Sequence, residues 1–340
     1  MVIPMSEKKK PKAVALLSGG LDSTLALRVM QEAGVEVHPV NYHTGFCNCT
    51  STHKTCGDAK NASQNGDIPL KHFNIAEEYL DVVKRPKFGY GKHMNPCVDC
   101  RIIMLKKAKE YLREIGADFV ITGEVLGQRP KSQHRESLTD IEKEAGLEGL
   151  LVRPLTAKNL TPTKPEEEGL IDREKLLDFS GRSRKPQMEL AEKLGVTDYP
   201  NPAGGCLLAD GAFARRLKDL MQHKPDFTVK DVNRLKKGRH FRIDGTKVIV
   251  GKNETENRYL KLLRYDTDTL FEAEDFMSPL SIAEGLLNQE KIRIIAGITA
   301  RYSDGKEAPQ VRVGYQNGAG DKFYVEVTPL KDEEIEKYRL

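Results

Sequence analysis

The 340-residue sequence lacks the features that mark membrane-spanning and secreted proteins. No uninterrupted apolar run approaches the length of about 20 residues that a transmembrane helix needs. The first residues, Met1 to Met5 followed by Lys8 to Lys10, lack the apolar core of a signal peptide. Internal repeats and low-complexity tracts are also missing. We therefore expect a cytoplasmic protein without a membrane partner, in which the six cysteines act as ligands or nucleophiles rather than as disulfides.

A strong excess of charge of one sign is absent as well. The formal net charge is only +4, which does not by itself indicate a nucleic-acid partner. The distribution of charge along the chain is therefore the better evidence for or against such a partner. Hydrophobic residues make up 39% of the chain and charged residues 31%, as in ordinary globular proteins. The length is sufficient for two domains.

The stretch Ser18-Gly19-Gly20-Leu21-Asp22-Ser23 is the strongest motif near the start of the chain. It follows the apolar run 13–17 and precedes the helical pattern of 24–30, which predicts a strand, a tight turn and a helix. Such glycines allow positive φ, and free N–H groups at a helix start attract phosphate. Asp22 can hold Mg²⁺ and thereby serve catalysis, while serine hydroxyls add donors. The predicted ATP ligands are Ser18, Gly19, Gly20, Asp22 and Ser23.

This motif is neither the Walker sequence nor the three-glycine dinucleotide fingerprint. It resembles the pyrophosphate loop of the PP-loop ATPases, the N-type ATP pyrophosphatases. The resemblance implies an adenine nucleotide alpha hydrolase-like domain that cleaves ATP between its α and β phosphates, adenylates a substrate oxygen and lets a nucleophile displace AMP. A Gly-Gly turn with a polar helix cap is the simpler alternative.

Further strands are predicted at 35–42 and 116–123, with a helix at 102–115 before the second. This alternation predicts an α/β fold, a doubly wound parallel sheet with the ligand at the carboxyl ends of its strands. At the end of the second of these strands, Thr122-Gly123-Glu124 stands where the family usually has Thr-Gly-His. Gly123 and Glu124 are therefore candidate ATP contacts, although a carboxylate cannot replace imidazole chemistry. We expect long loops between Gly127 and Arg184, and a helix from Lys185 to Gly195.

Three cysteines extend the resemblance. Cys97 and Cys100 form a Cys-x-x-Cys after Asn-Pro, and Cys206 follows Gly-Gly. The pattern is similar to PP-loop tRNA sulfurtransferases, especially tRNA-specific 2-thiouridylase, which implies that Cys100 and Cys206 are working cysteines. One would accept or displace sulfur and the other would carry a persulfide, supplied by a persulfide protein or hydrosulfide.

Cys97 stands where the thiouridylase pattern has aspartate. Three cysteines in this arrangement resemble the cluster-dependent thiouridine synthetases, which implies a [4Fe-4S] cluster held by Cys97, Cys100 and Cys206 with one iron open. Thiolates suit iron, and an open iron could present hydrosulfide to an activated base. We favour this interpretation over a two-cysteine persulfide relay, and a zinc knuckle or buried thiols form the third alternative.

A second cluster contains Cys47, Cys49 and Cys56, together with His43 and His53. Mixed cysteine and histidine ligands at short spacing could hold zinc or stabilise a loop. Incidental thiols in a polar loop are an equal alternative, so its metal stays unassigned.

Charge is distributed unevenly toward the C-terminus. Residues 224–264 contain twelve Lys/Arg and five Asp/Glu, whereas residues 265–290 contain seven acids and no Lys or Arg. The asymmetry predicts a basic face that binds RNA. Upstream, Arg182 and Arg184 could bind tRNA phosphate or belong to a solvated loop. Side-chain character alternates on both sides of Asp244-Gly245, which predicts a β-hairpin at 240–250.

The stretch Val250-Gly251-Lys252-Asn253, followed by Asn257 and Leu260, resembles the RNA-binding domain of the NFACT family. The resemblance implies that Lys252 and Arg258 bind phosphates without reading sequence. We expect a flexible tail at 1–12, a PP-loop domain at 13–222 and a smaller α+β RNA-binding domain at 223–340.

Together these features predict an ATP-dependent tRNA sulfurtransferase that replaces a uridine carbonyl oxygen with sulfur. Two alternatives remain open. One is a PP-loop ligase or sulfur-insertion enzyme acting on a small molecule. The other is a non-catalytic RNA-binding sensor that holds a cluster and a nucleotide.

Overall fold

The computed structural model describes residues 10–47, 68–196, 206–318 and 320–340. Cys49, His53 and Cys56, and the first nine residues of the predicted tail, lie outside the described residues. The chain forms two compact units, Met1–Ala209 and Asp210–Leu340. The predicted boundary at 222/223 falls at the end of a helix, Gly211–His223, that belongs to the second unit.

The first unit contains a parallel sheet, which confirms the predicted α/β fold. Its strand order is β3-β2-β1-β4-β5. The strands are β1 (Lys12–Leu16), β2 (Glu36–His43), β3 (Lys71–Asn74), β4 (Phe119–Ile121) and β5 (Leu151–Val152). The helices are α1 (Leu21–Glu32), α2 (Ala76–Lys84), α3 (Cys97–Ile115), α4 (Arg135–Ala145), α5 (Lys164–Glu167) and α6 (Lys185–Lys193). Short 3₁₀ helices lie at Ala157–Asn159, Arg173–Lys175 and Leu207–Ala209.

Both faces of this sheet are covered, because successive side chains of a strand point to opposite sides. Ala13 and Ala15 of β1 lie in one buried cluster with Leu25 of α1. Val14 and Leu16 lie in another, which contains the buried side of α3. Strand β1 is therefore buried on both sides, which explains its continuous apolar sequence.

The strand order reverses between β1 and β4, since β1 connects to β2 on one side while β4 and β5 lie on the other. Ligands of open α/β sheets bind at the carboxyl ends of the strands at such a point. The Ser18–Ser23 motif follows β1, and Thr122-Gly123-Glu124 follows β4. The fold thus brings both predicted nucleotide segments to one crevice.

The second unit has a six-stranded antiparallel sheet with the order β11-β10-β8-β9-β7-β6. Its strands are β6 (Arg239–Ile243), β7 (Thr246–Val250), β8 (Thr269–Ala273), β9 (Ser281–Ala283), β10 (Val311–Asn317) and β11 (Lys322–Val327). Its helices are α7 (Gly211–His223), α8 (Val229–Leu235), α9 (Glu254–Leu263), α10 (Gln289–Arg301) and α11 (Asp332–Glu336). The predicted hairpin at 240–250 is confirmed, with its turn at Asp244 and Gly245, which both have positive φ. Among the helices of the described residues, none combines the length and the apolar character needed to cross a membrane.

Candidate functional site

The Ser18–Ser23 motif forms a compact loop between β1 and α1. Gly19 has φ 79°, and Gly20 is the N-cap residue of α1. The hydroxyl of Ser23 donates to the Gly20 carbonyl at 2.9 Å and lies 3.1 Å from the Ser18 hydroxyl. Two serines therefore hold the turn so that backbone N–H groups at the start of α1 can meet an anion.

The loop after β4 packs directly against this turn at Gly123. A Cβ atom at position 123 would lie 2.5 Å from the carbonyl oxygen of Asp22 and 2.6 Å from the backbone nitrogen of Ser23. These distances are far shorter than van der Waals contact, and both neighbours are backbone atoms. Glycine is therefore required here by the close approach of two backbone segments.

The Asp22 carboxylate has one engaged and one unengaged oxygen. Its Oδ2 accepts hydrogen bonds from Gln128 Nε2, at 2.7 Å, and from Arg184 NH1. Gln128 is held in turn by Gln187, whose Nε2 donates to Gln128 Oε1 at 2.8 Å. Oδ1 is buried and has no hydrogen-bond partner among the described residues. A buried carboxylate oxygen left open in this way fits the oxygen-ligand preference of Mg²⁺.

Arginines from three segments surround this carboxylate. Arg101 and Arg129 line a cavity together with Ser18, Asp22, Ser23 and Gly123, and Arg184 contacts Asp22 directly. The pKa of Arg129 is lowered, first by burial and then by the charges of Arg101 and Arg184. A pocket lined by two guanidinium groups, with a third on its carboxylate, suits an anion such as a polyphosphate.

Sequence reasoning missed Arg101 and Arg129 and placed Arg184 only as an RNA contact. Arg101 directly follows Cys100, a position that could have drawn attention to it. Arg182, the other predicted RNA contact in this segment, is exposed.

Glu124, a predicted ATP contact, is buried in an ion-pair network. Its Oε2 accepts from Arg153 Nε at 3.1 Å and from the Thr122 hydroxyl at 3.0 Å, and Oε1 lies 3.1 Å from Arg101 Nε. Burial alone would raise the pKa of Glu124, but the charges of Arg101 and Arg153 outweigh it and hold the pKa below its usual value. The carboxylate thus lies between two arginines: it is hydrogen-bonded to Arg153 and ion-paired with Arg101, which lines the cavity beside the Ser18–Ser23 loop.

Four cysteines come together where three chain segments meet. Cys97 and Cys100 lie in the first turn of α3, three residues apart and therefore on one side of the helix. Cys47 and Cys206 are paired across an antiparallel bridge, and Leu207 N donates to the Phe46 carbonyl at 3.2 Å. Met94 N donates to the Leu208 carbonyl at 3.0 Å and ties the segment before α3 to the same place. The predicted Cys97, Cys100 and Cys206 are therefore neighbours, and Cys47 joins them.

The protein environment disfavours the charged form of two of these thiols. The pKa of Cys100 is raised by burial and by the charges of Cys47 and Cys97, against the opposing effects of Tyr79 and Arg101. Cys206 is a surface residue, but its sulfur is surrounded by protein. The loss of hydration, and secondarily the charge of Cys100, raises the pKa of Cys206 to about 12. A cation at this place would reverse the shifts, because it favours thiolate.

The four thiols supply donors that suit a metal. Cysteine sulfur is a suitable ligand for iron. Among the described residues, no three Cys, His, Asp or Glu side chains stand together as a metal-binding group. The donor chemistry of the thiols fits an iron–sulfur cluster.

In the second unit, the Val250–Leu260 motif has structural and exposed parts. Gly251 lies against the Asn257 side chain, whose Oδ1 accepts from Leu280 N at 3.1 Å. Asn253 caps α9 by accepting from Glu256 N at 2.9 Å. Lys252 and Arg258 are exposed, and Arg258 pairs with Glu254, which is exposed as well. The glycine and asparagines thus build a turn that presents cations to solvent.

The comparisons with known proteins agree with this division. Residues 9–160 match the family described as thiamine biosynthesis protein (ThiI), and residues 238–339 match the NFACT protein RNA binding domain. A probable tRNA sulfurtransferase of Thermococcus kodakarensis is 31% identical over 182 residues, which cover 53% of this chain and 44% of that protein. The tRNA-specific 2-thiouridylase MnmA of Dichelobacter nodosus is 23% identical over 218 residues, 60% of this chain and 54% of that protein.

Among solved structures, the U34-tRNA thiolase NcsA of Methanococcus maripaludis with its [4Fe-4S] cluster is similar, with a TM-score of 0.33 and 16% identity. That match covers 75% of this chain and 72% of that chain. The chain spans about half the length of the curated relatives it matches. The predicted resemblances, to PP-loop tRNA sulfurtransferases in the first part and to the NFACT domain in the last, are confirmed.

Proposed function

We propose that this chain is an ATP-dependent tRNA sulfurtransferase that adenylates a uridine carbonyl and replaces its oxygen with sulfur. The observation that carries the proposal is the proximity of the nucleotide loop to the thiols. Arg129 lines one cavity with Asp22 and Ser23, and the pKa of Arg129 responds to the charges of both Asp22 and Cys97. Arg101, which lines the nucleotide cavity, follows Cys100 in α3 and affects its pKa. An activated substrate leaving the loop would meet sulfur chemistry beside it.

Each group has a role in the proposed reaction. Backbone N–H groups at Gly19 and Gly20, with the hydroxyls of Ser18 and Ser23, bind the phosphates. Asp22 would hold Mg²⁺, which neutralises phosphate charge when bound. The uridine oxygen attacks the α-phosphorus and pyrophosphate leaves.

Hydrosulfide delivered at the site of Cys100 and Cys206 then attacks the activated carbon. The carbon–oxygen bond breaks, AMP leaves with the former carbonyl oxygen, and the hydrosulfide proton is released to leave a C=S group. Arg101 and Arg129 stabilise the charge that develops on the phosphates.

Asp22→Ala tests the proposed chemistry. We expect tRNA-dependent AMP formation and uridine thiolation to fall by about 10²–10³-fold, because the metal-holding carboxylate is lost. The assay measures AMP, pyrophosphate and thiolated nucleosides with tRNA, ATP and a sulfide source. Asp140→Ala, an exposed carboxylate on α4, is the matched control and should keep wild-type rates. ATP cleavage that needs no RNA would favour a small-molecule substrate, and RNA binding without AMP formation would favour a sensor.

For the sulfur route we propose a [4Fe-4S] cluster held by Cys97, Cys100 and Cys206. Such a cluster would offer an open iron for hydrosulfide. Anaerobic reconstitution should give about four irons and matching acid-labile sulfide per chain, lost in Cys97→Ala, Cys100→Ala and Cys206→Ala. Asp99→Asn is unsuitable as a control because Asp99 holds the Lys87 amide, so the exposed-site variant Asp140→Ala serves here too and should keep its iron. No iron in the wild type would leave Cys100 and Cys206 as a persulfide pair.

For the RNA we propose phosphate binding by Lys252 and Arg258, with Arg182 as a further contact. The pair of Arg258 with Glu254 is exposed and stabilises little, so the guanidinium can exchange it for a phosphate. Each of Lys252→Ala and Arg258→Ala should weaken tRNA binding and reduce the salt dependence by about one phosphate contact. Arg293→Ala, an exposed arginine of α10 outside the motif, should leave the salt slope unchanged. If the affinity for tRNA falls with salt at the same slope in all variants, Lys252 and Arg258 do not bind phosphate and this assignment is wrong.

A further inference from the structure

Cys47 has no role in the proposed reaction, yet the fold places it opposite Cys206. The two residues are direct partners in an antiparallel bridge. Leu207 N donates to the Phe46 carbonyl at 3.2 Å, a bond that joins the residue after Cys206 to the residue before Cys47. That arrangement makes Cys47 and Cys206 a non-hydrogen-bonded pair, the kind in which opposite side chains come closest.

The spacing of such a pair suits a disulfide. Opposite Cα atoms in a non-hydrogen-bonded pair lie about 4.5 Å apart, at the short end of the range of roughly 4.4–6.8 Å that disulfides span. Both thiols are free in the structure. As whole residues, Cys206 is exposed and Cys47 is partly exposed, so the pair lies at the protein surface.

The other possible pairings of Cys206 are less favourable. Cys97 and Cys100 are fixed in the first turn of α3 rather than on the facing strand. Cys100 lies against Tyr79, a residue that is 1% exposed, so moving its sulfur would disturb packed core. Cys47 contacts only the Thr44 hydroxyl, 3.6 Å from its sulfur, among the hydrogen-bond partners of the described residues. Turning the Cys47 side chain toward Cys206 gives up this weak hydrogen bond.

We propose that Cys47 and Cys206 form a cross-strand disulfide when the chain meets a low-molecular-weight disulfide oxidant, and that this bond withdraws Cys206 from sulfur transfer. One thiolate attacks the oxidant and releases its first thiol; the other attacks the resulting mixed disulfide and releases the second. The two cysteines lose two protons and two electrons, and the oxidant is reduced to two thiols. A dithiol reverses the reaction. The effect on activity depends on the proposed function, whereas the bond itself does not.

The first experiment maps the bond in the full chain. Metal-free, reduced protein is incubated anaerobically with glutathione disulfide, alkylated, digested and analysed by mass spectrometry. The expected product is a peptide pair joined through Cys47 and Cys206, present in wild type and in Cys97→Ser and absent in Cys47→Ser. A Cys206 link to any other cysteine, or glutathione adducts without an internal bond, would overturn the proposal. Circular dichroism of Cys47→Ser confirms that the variant is folded.

The second experiment measures tRNA thiolation. Oxidised and untreated samples are each reconstituted anaerobically with iron and sulfide, without added thiol, before the assay. Wild type should lose activity in proportion to the cross-linked fraction and regain it when dithiothreitol is added before reconstitution. Cys47→Ser should start at the wild-type rate and keep it through the oxidation. Equal inactivation of both proteins would overturn the regulatory effect. If no reconstituted sample thiolates tRNA while the bond forms, the proposed function fails and the disulfide assignment stands.

Discussion

Gly123→Ala should lower ATP-dependent AMP formation by about 10²-fold, the effect expected when a reacting group is displaced by about an ångström. The added methyl group would lie 2.5–2.6 Å from backbone atoms of Asp22 and Ser23. Neither neighbour can rotate away, since both belong to the start of α1. The end of β4 must therefore separate from the Ser18–Ser23 loop, the proposed phosphate site. ATP affinity by calorimetry and AMP formation by chromatography would measure the loss.

The control must separate this clash from the general cost of replacing a glycine. Gly116→Ala is suitable because Gly116, at the end of α3, has φ 61° and no atom within 4 Å of an added Cβ. It should cost about 1 kcal/mol of stability through backbone strain and leave ATP affinity unchanged. Wild-type affinity in Gly123→Ala would show that the two loops do not need to touch.

The Ser18–Ser23 part of the candidate nucleotide site could be predicted, because its residues are consecutive in the sequence. The sequence from Ser18 to Ser23 supplies the turn, the helix start and the carboxylate together. The arginines could not be found in this way. Arg101 comes from α3 and Arg129 from the segment after β4, so only the packing of the sheet brings them to Asp22. A pattern within one segment does not contain that information.

Helix α4 shows a different failure. The many charged residues between Gly127 and Arg184 predict long loops, yet Arg135–Ala145 is helical. Its buried residues Leu138, Ile141 and Ala145 are spaced three and four apart, which is the helical period. Three apolar positions among charged residues gave a weak signal that the flanking prolines and glycines obscured.

The sequence predicts a domain boundary at 222/223, beside the stretch His223-Lys224-Pro225. In the structure the second unit begins at Asp210, the N-cap of α7, where the side chain accepts from Phe213 N at 2.7 Å. Helix α7 packs on α8, so tertiary contacts assign it to the second unit. Proline and charged residues mark the end of a helix equally well whether or not a domain ends there.

Glu124→Gln should lower the free energy of unfolding of the first unit by about 3 kcal/mol, the lower end of the cost of breaking a buried ion pair. Glu124 is 1% exposed and Arg153 is 4% exposed, so the loss of the carboxylate charge leaves a buried cation. In the variant, Arg153 still donates hydrogen bonds to Glu142, at 2.9 Å, and to the Leu138 carbonyl, at 3.0 Å. The cost is therefore at the lower end of the range for a broken buried ion pair. Urea unfolding followed by circular dichroism would measure the change.

The pH dependence of this difference distinguishes lost charge from altered packing. The pKa of Glu124 is below its ordinary value of 4.5 in the folded chain. Its stabilisation is therefore fully present above pH 4.5 and is lost as the pH falls through the folded pKa, because the folded state then binds the proton too. The gap between wild type and Glu124→Gln should close at low pH, whereas a packing defect would persist. Glu174→Gln, whose pair with Lys158 is exposed, should cost less than about 1 kcal/mol at any pH.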